Sequence, residues 1–469
     1  MKKGSKLYEG NMRKNYLLFA IPLILSALLS QSYSFINSML IGKFIGSDAF
    51  AATASTAQLV DFINSIFWGY LTGVGIYISV LFGRNDYKRM LNVIKLNFLI
   101  STVAAVLISC VCNIFCDEIF DLLNVNDEIY HDSEMYFRTF ISGLVLFQLN
   151  WGFVYIAYGM GMTRLPLITS VLTGISNVGL NYLFLSKMDK GIEYSAVSTI
   201  ISNFIIVLFY FVVYKRLFNS FGVKSKGIDF DKQDLKASFG YGTPTMLQQM
   251  TMYCCTAVAS PLANTCSTEA LSGYSVANNS RTLIAAIYQN SSKANTTLIA
   301  QAMGAKRIDK IKEGTKIGIQ QSLIFFGVTL ALFVIFAKQF TGLFLDSAED
   351  AESFAVSVNI IRFLMPFIFF NVFNNLFHGI FRAVGSGKLM FISTLIYAIS
   401  FVIYAYIFFD ILPNDYRIYG VYLALSAAYI TEVIFAFVVY VTGKWKTAEY
   451  KELEKQYNES KENKIECKV

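Results

Sequence analysis

Phe19–Gln31 reads FAIPLILSALLSQ, and Phe239–Met250 reads FGYGTPTMLQQM. Both carry a proline in an apolar run (Pro22, Pro244) followed by glutamine, 222 residues apart. Four further pairs follow in the same order. Gly46–Ser55 (GSDAFAATAS) answers Ser267–Val276 (STEALSGYSV), and Leu81–Met90 (LFGRNDYKRM) answers Ala302–Ile311 (AMGAKRIDKI), both at an offset of 221. Gly159–Leu167 (GMGMTRLPL) answers Arg382–Met390 (RAVGSGKLM) with Gly161 matching Gly385, and Gly191–Asn203 (GIEYSAVSTIISN) answers Gly420–Glu432 (GVYLALSAAYITE). One such pair is weak; five in order with a nearly constant spacing establish a duplication.

The duplicated unit is built for hydrocarbon. Of 469 residues, 55% are hydrophobic and 15% charged, where a soluble protein carries about 25% charged. Apolar blocks such as Tyr16–Gly42, Leu91–Cys116, Ser195–Leu217 and Val421–Val441 have the roughly 20 residues that a bilayer-crossing helix needs. Spans are expected at 16–42, 52–82, 91–115, 135–158, 165–186, 195–217, 238–262, 271–302, 317–337, 356–381, 389–409 and 418–442. The block lengths exclude a β-barrel. The fold class is therefore all-α and polytopic, with twelve transmembrane helices in two parallel six-helix repeats around a central cleft. An even number of helices per repeat makes both halves enter from one side.

Charge orients the chain. Alternate loops, with both tails, hold 30 of the 39 Lys and Arg, and the opposite set holds five and is acidic (CDEIFDLLNVNDE, LDSAEDAE). Basic loops stay cytoplasmic, so both termini are expected inside, in the plasma membrane. The expected domains are a cytoplasmic tail (1–15), an N-lobe (16–218), a cytoplasmic linker (219–236), a C-lobe (237–443) and a polar cytoplasmic tail (444–469). The formal charge of +7 is divided among short loops, which argues against a nucleic-acid partner. The partners expected are the bilayer and a small organic substrate, with the protein a monomer. Seven cysteines and two histidines suit neither a disulfide framework nor a His-based metal cluster. There is no nucleophile–His–acid set and no phosphate loop, so no enzyme activity and no cofactor are expected.

Over about residues 15–440 the sequence resembles the multidrug and toxic compound extrusion (MATE) family of secondary transporters. The resemblance is carried by IPLILSALLSQSYSFINSMLIGKFIGSDAFAA, GVGIYISVLFGRND, YGMGMTRLPL and TTLIAQAMGAKR. It implies export of organic, often cationic compounds (xenobiotic or drug efflux) by alternating access, as antiport with H⁺ or Na⁺. Family members use intramembrane carboxylates for the ion, and at those positions this chain departs. The family's first-span Asp falls at Asn37, an Asn-x-x-x-Asp pattern maps onto Asn177 and Asn181, the sixth-span threonine is retained as Thr199, and a tenth-span Asp falls at Asn371. An amide takes no proton at any useful pH.

The remaining intramembrane charges become candidates, because such charges are costly and usually functional. For ion coupling these are Asp61 and Glu432, beside the amide positions Asn37, Asn177, Asn181 and Thr199. Asn64 and Trp68 share the face of Asp61. At 100° per residue, Asn278, Arg281, Tyr288, Ser292 and Asn295 share one face of the eighth span, Lys293 lies on the adjoining face, and Asn371, Asn374, Asn375 and His378 form a stripe on the tenth. Tyr33, Asn64, Trp68, Arg281, Tyr288, Lys293, Asn371 and Asn375 are the substrate-cavity candidates. The bland alternatives are a helix end for Asp61, an interhelical structural bond for Glu432, pairing with Glu432 or backbone carbonyls for Arg281 and Lys293, and helix-packing glue for the Asn stripe. Two other functions remain open. One is a flippase or exporter of lipid-linked or other anionic substrates, favoured if Arg281 and Lys293 are unpaired; the other is a non-transporting receptor or scaffold.

Overall fold

A computed structural model describes residues 5–122, 125–222, 227 and 229–466. The outermost tail residues, Leu123, Asn124 and residues 223–226 and 228 of the expected linker lie outside the described residues. Twelve long helical segments follow in order: Met12–Phe44, Ser47–Gly83, Tyr87–Ile114, Asp127–Ser142 continued by Leu144–Gly159, Arg164–Asn181 continued to Lys187, Glu193–Ser220, Lys232–Asn264, Thr268–Gly304, Ile308–Ile335, Ala351–Asn359 continued through Phe369–Ala383, Gly387–Ile411 and Arg417–Val441. They are called the first to twelfth helices below. Nine are long and apolar enough to cross a membrane, and the fourth qualifies as a bent pair. The seventh and eighth do not pass on hydropathy; their polar residues are discussed below.

Three helices are less regular than their apolar patterns suggest. The fourth bends by 51° at Gly143, where a side chain would collide with Ile200. The fifth ends in a π-turn, Tyr182–Lys187, and the tenth passes through a π-turn, Ile360–Leu364, and a 3₁₀ turn, Met365–Ile368, around Pro366. Proline removes a donor from the helix, and π-turns cluster where function needs a local offset. Beyond the last span, the tail holds a further helix, Ala448–Glu466.

The duplication is visible in the turns. After the second helix Asn85 adopts φ 61°, and after the eighth Lys306 adopts φ 57°, 221 residues on. The amide of Asp86 donates to Leu81 O and that of Arg307 to Ala302 O. After the fourth and tenth helices Gly161 (φ 71°) and Gly385 (φ 85°) take the left-handed position, with Met162 N donating to Ala157 O and Ser386 N to Phe381 O. These wide-loop bonds satisfy the last free carbonyls of each helix.

The chain divides into two compact units, but not at the boundaries expected from sequence. One contains Met1–Lys6 and Leu25–Met246, the other Leu7–Ile24 and Leu247–Val469. The starts of the first and seventh helices are thus each counted with the other repeat. Named bonds hold them there. In the second unit Tyr16 Oη donates to Ser291 O at 2.8 Å, and Leu7 N donates to Gln301 Oε1 at 2.9 Å. In the first unit Asn97 Nδ2 donates to Ser238 Oγ at 2.9 Å, and Asn97 Oδ1 accepts from Tyr70 Oη at 2.7 Å. Asp234 there pairs with Arg89 at 2.5 Å.

The seventh helix also meets the second through glycine. A Cβ on Gly73 would run into the main chain of Tyr241, whereas nothing lies within 4 Å of one on Gly240. Gly73→Ala is therefore expected to lower stability by about 1–3 kcal/mol, the usual cost of overpacking, with Gly240→Ala far milder. Thermal unfolding of both variants in detergent checks this.

Candidate functional site

In the first unit the amide positions meet. Asn37 of the first helix donates to Asn177 Oδ1 of the fifth. Asn181, one turn on from Asn177, donates to Asn37 Oδ1 at 3.0 Å and approaches Asn177 Oδ1 at 3.4 Å. Asn177 Nδ2 in turn donates to Thr199 Oγ1 of the sixth helix at 3.0 Å. The fifth helix can supply two members because their spacing of four residues puts them on one face, and its π-turn starts immediately after Asn181. Of the three amide oxygens, only Asn181 Oδ1 lacks a donor. A hard cation gathers several oxygens, and here most are already engaged with one another. Tyr33 lies one turn before Asn37, against Gly174 of the fifth helix, where a Cβ would sit 3.4 Å from its ring.

Asp61 does not join these amides. It is exposed on the second helix and makes no hydrogen bond or ion pair among the described residues; Tyr136 of the fourth helix is within electrostatic reach of it. Asn64 follows at three residues with its Oδ1 buried and unpaired, and Trp68 at seven is half-buried. Gln31 and Ser34 on the first helix and Gln58 on the second are exposed too. Polar side chains midway along apolar helices are costly against lipid, so these faces are suited to water.

In the second unit the polar residues are buried and zipped. Glu432 of the twelfth helix is 0% exposed. Its Oε2 accepts from Asn374 Nδ2 of the tenth helix at 2.7 Å, and its Oε1 lies 3.3 Å from His378 Nε2. The other imidazole nitrogen, Nδ1, is 2.9 Å from Gln248 Nε2 of the seventh helix. An amide NH₂ donating to Nδ1 leaves the ring proton on Nε2, close to Glu432 Oε1 but without completing a hydrogen bond to it. Four side chains from three helices thus form a line, Gln248–His378–Glu432–Asn374. No Lys or Arg pairs with Glu432 among the described residues.

Each unit holds its own version of one bond. Asn150 Nδ2 of the fourth helix donates to Asn203 Oδ1 of the sixth at 2.8 Å. Asn150 and Asn203 match Asn374 and Glu432 by the offsets of 224 and 229 already seen in their helices. The second unit keeps the geometry, replaces the acceptor amide with an acid, and adds an imidazole. The sequence names Glu432 and places His378 in a stripe; the repeat offsets are the signal that joins Asn374 to Glu432, and nothing local points to Gln248.

The eighth helix supplies the cations. Arg281 is half-buried, donates from Nε to Asn278 Oδ1 at 2.8 Å, and is within electrostatic reach of Tyr274, Tyr288, Tyr422 and Tyr429. Neither Arg281 nor Lys293 has a carboxylate partner among the described residues, and Lys293 makes no hydrogen bond there. Tyr422 Oη is buried without a partner. Tyr288 accepts from Asn371 Nδ2 at 2.9 Å, Asn375 Nδ2 donates to Asn371 Oδ1 at 3.0 Å, and Ser292 Oγ donates to Asn375 O at 2.7 Å. Tyr288, Asn371 and Asn375 therefore join the eighth and tenth helices to each other.

Comparison with known proteins gives one family. The MatE family model matches residues 22–183 and 244–407, one match per repeat. Among curated relatives, the probable multidrug resistance protein YoeA of Bacillus subtilis is 24% identical, over 71% of this chain and 73% of its own. The probable multidrug resistance protein YpnP of the same species is 24% identical over 95% and 98%. The multidrug export protein MepA of Staphylococcus haemolyticus is 24% identical over 81% and 83%. Among solved structures, the outward-facing conformation of a multidrug resistance MATE family transporter of the MOP superfamily superposes with a TM-score of 0.86 at 20% identity, over 97% and 99% of the two chains. A MOP superfamily transporter from Pyrococcus furiosus, described as having a binding pocket of reverse polarity that suggests a different function, matches equally.

The shared bond yields a test. Asn374→Leu strips an acid of its donor and is expected to cost about 2 kcal/mol, whereas Asn150→Leu breaks an amide–amide bond worth about 1 kcal/mol. The order of the two melting temperatures, Asn374→Leu below Asn150→Leu, is the readout.

Proposed function

Because this chain belongs to the MatE family of multidrug and toxic compound extrusion transporters, we propose that it is a secondary exporter of small organic compounds whose coupling ion is handled in its second unit. It works as a monomer in the plasma membrane with both termini cytoplasmic, by alternating access. The observation that carries the coupling assignment is Glu432: wholly buried, 3.3 Å from an imidazole nitrogen, with no Lys or Arg paired to it among the described residues. Such a carboxylate exchanges its charge by taking up or giving up a proton, and His378 and Gln248 supply a path of hydrogen-bonding groups to it. The first-unit amides supply neither fixed charge nor a proton site, which favours H⁺ over Na⁺ as the coupling ion. Moving one charge through the membrane potential supplies roughly 2.3 kcal/mol per 100 mV.

The test is substrate flux in proteoliposomes under separate pH and Na⁺ gradients. Glu432→Gln is expected to cut pH-driven flux by about tenfold or more with the Na⁺ arm inert throughout, and Asp61→Asn to leave flux near wild type. Undiminished pH-driven flux in Glu432→Gln removes the assignment, and a loss confined to Asp61→Asn moves it to the second helix.

Arg281 and Lys293 support a second reading, export or flipping of anionic substrates. A guanidinium ringed by tyrosines and free of carboxylates suits a phosphate or carboxylate better than an organic cation. On this reading Arg281→Gln weakens transport of an anionic dye by about tenfold and leaves a cationic dye unaffected; on the first reading a cationic dye is carried and Arg281→Gln does not impair it. Parallel efflux assays with the two dyes separate them.

A further inference from the structure

The second unit carries a cavity of about 650 Å³ where the ninth helix begins, the twelfth ends and the chain turns into the helix Ala448–Glu466. Three lysines line it: Lys312 and Lys316 of the ninth helix, one turn apart, and Lys446 from the turn after the twelfth. The one carboxylate among its lining residues is Glu454, which accepts from Lys446 Nζ at 2.6 Å and lies 3.3 Å from Lys312 Nζ. Burial works to raise the Glu454 carboxyl, but the hydrogen bonds from Lys446 and Lys312 outweigh it and hold the group below the usual carboxylate range. Lys316 is exposed and has no ion pair or hydrogen bond among the described residues. Three ammonium groups thus converge on a space that holds a single negative charge.

Aromatic rings frame the same space. Trp445 stacks on Tyr440 at 5.5 Å and packs on Tyr450 at 4.9 Å, and it is anchored by its indole N–H on Tyr440 O and by Ser386 Oγ donating to its carbonyl. Trp and Tyr gather at the headgroup level of a bilayer. From this rim both helices continue as apolar surface: Phe437, Val438 and Val441 on the twelfth and Ile324 and Val328 on the ninth are each more than half exposed.

We propose that this pocket binds the phosphate headgroup of an anionic phospholipid, and that Glu454 is the chain's own anion, holding part of that place when the lipid is absent. A phosphate is met by convergent charged donors, while its acyl chains need the apolar flank. A soluble phosphate accounts for the lysines and leaves the flank without a purpose. The basic loops also put the pocket toward the cytoplasmic leaflet, the one rich in anionic lipid. Basic pockets between helices on that side are of the kind that hold such headgroups. The inference stands apart from the export reading, since none of these residues belongs to either polar cluster.

The experiment is native mass spectrometry of the full-length protein released from micelles containing equal phosphatidylglycerol and phosphatidylcholine, with sn-glycerol 3-phosphate as the soluble arm. Phosphatidylglycerol is expected to be retained in preference. Lys316→Glu, at an exposed position, weakens that retention by about fivefold or more, the worth of a basic residue near an anionic surface. Glu454→Gln strengthens it by removing the competitor, a gain that a merely structural contact would not give. Equal retention of the two lipids, indifference to Lys316→Glu, or weaker retention in Glu454→Gln overturns the proposal. Binding of glycerol phosphate as tight as that of the lipid reassigns the pocket to a soluble anion and overturns it as well.

Discussion

Hydrocarbon offers a peptide group no partner, and everything in this chain answers to that. Backbone bonds are closed inside helices, and the carbonyls left over at helix ends are caught by the left-handed turns at Asn85, Gly161, Lys306 and Gly385. Side-chain donors and acceptors obey the same rule across helices. Asn37, Asn177, Asn181 and Thr199 bond to one another from three helices, leaving Asn181 Oδ1 over, and Asn374 and Glu432 share a bond from two. The polar residues of the seventh and eighth helices, which deny those helices the hydropathy of a simple span, are tolerated because most find partners of this kind.

Duplication let the two units diverge from one bond. Where the first unit joins amide to amide, Asn150 to Asn203, the second joins amide to acid and places an imidazole against the acid's other oxygen. The first unit is neutral at its polar centre; the second keeps Glu432, Arg281 and Lys293. The exposed polar residues Gln31, Ser34, Gln58 and Asp61 belong to the first unit, whereas the acid of the second, Glu432, is wholly buried and Arg281 and Lys293 are partly so. Wet faces in one repeat and a buried acid in the other are a division of labour that identical repeats would not have.

Much of this was legible from residues alone. The twelve helices follow from apolar block length, and the pairing of the repeats from the five matched stretches. The meeting of Asn37 with Asn177 and Asn181 rested on resemblance rather than on anything local in the sequence. Helix irregularity was hidden: Gly143 and Pro366 are single residues in long apolar runs, and the π-turn after Asn181 has no residue signature. The division at Leu25 and Met246 was also hidden, because contacts such as Tyr16 with Ser291 join positions 275 apart, which no periodicity reports. The tail 444–469 read as merely polar; its tie to the ninth helix runs through Glu454 and Tyr457, both on Lys312.

The membership of residues 7–24 and 232–246 carries a consequence for how such a molecule can be divided. Cutting the chain in the linker severs it between repeats by descent, yet neither product is a complete unit by contact. Each lacks the helix start that supplies Tyr16 or Ser238 and carries one that has lost its place. A single repeat made alone would recover a full set of contacts only by lending its first half-helix to a second copy and borrowing that copy's in return.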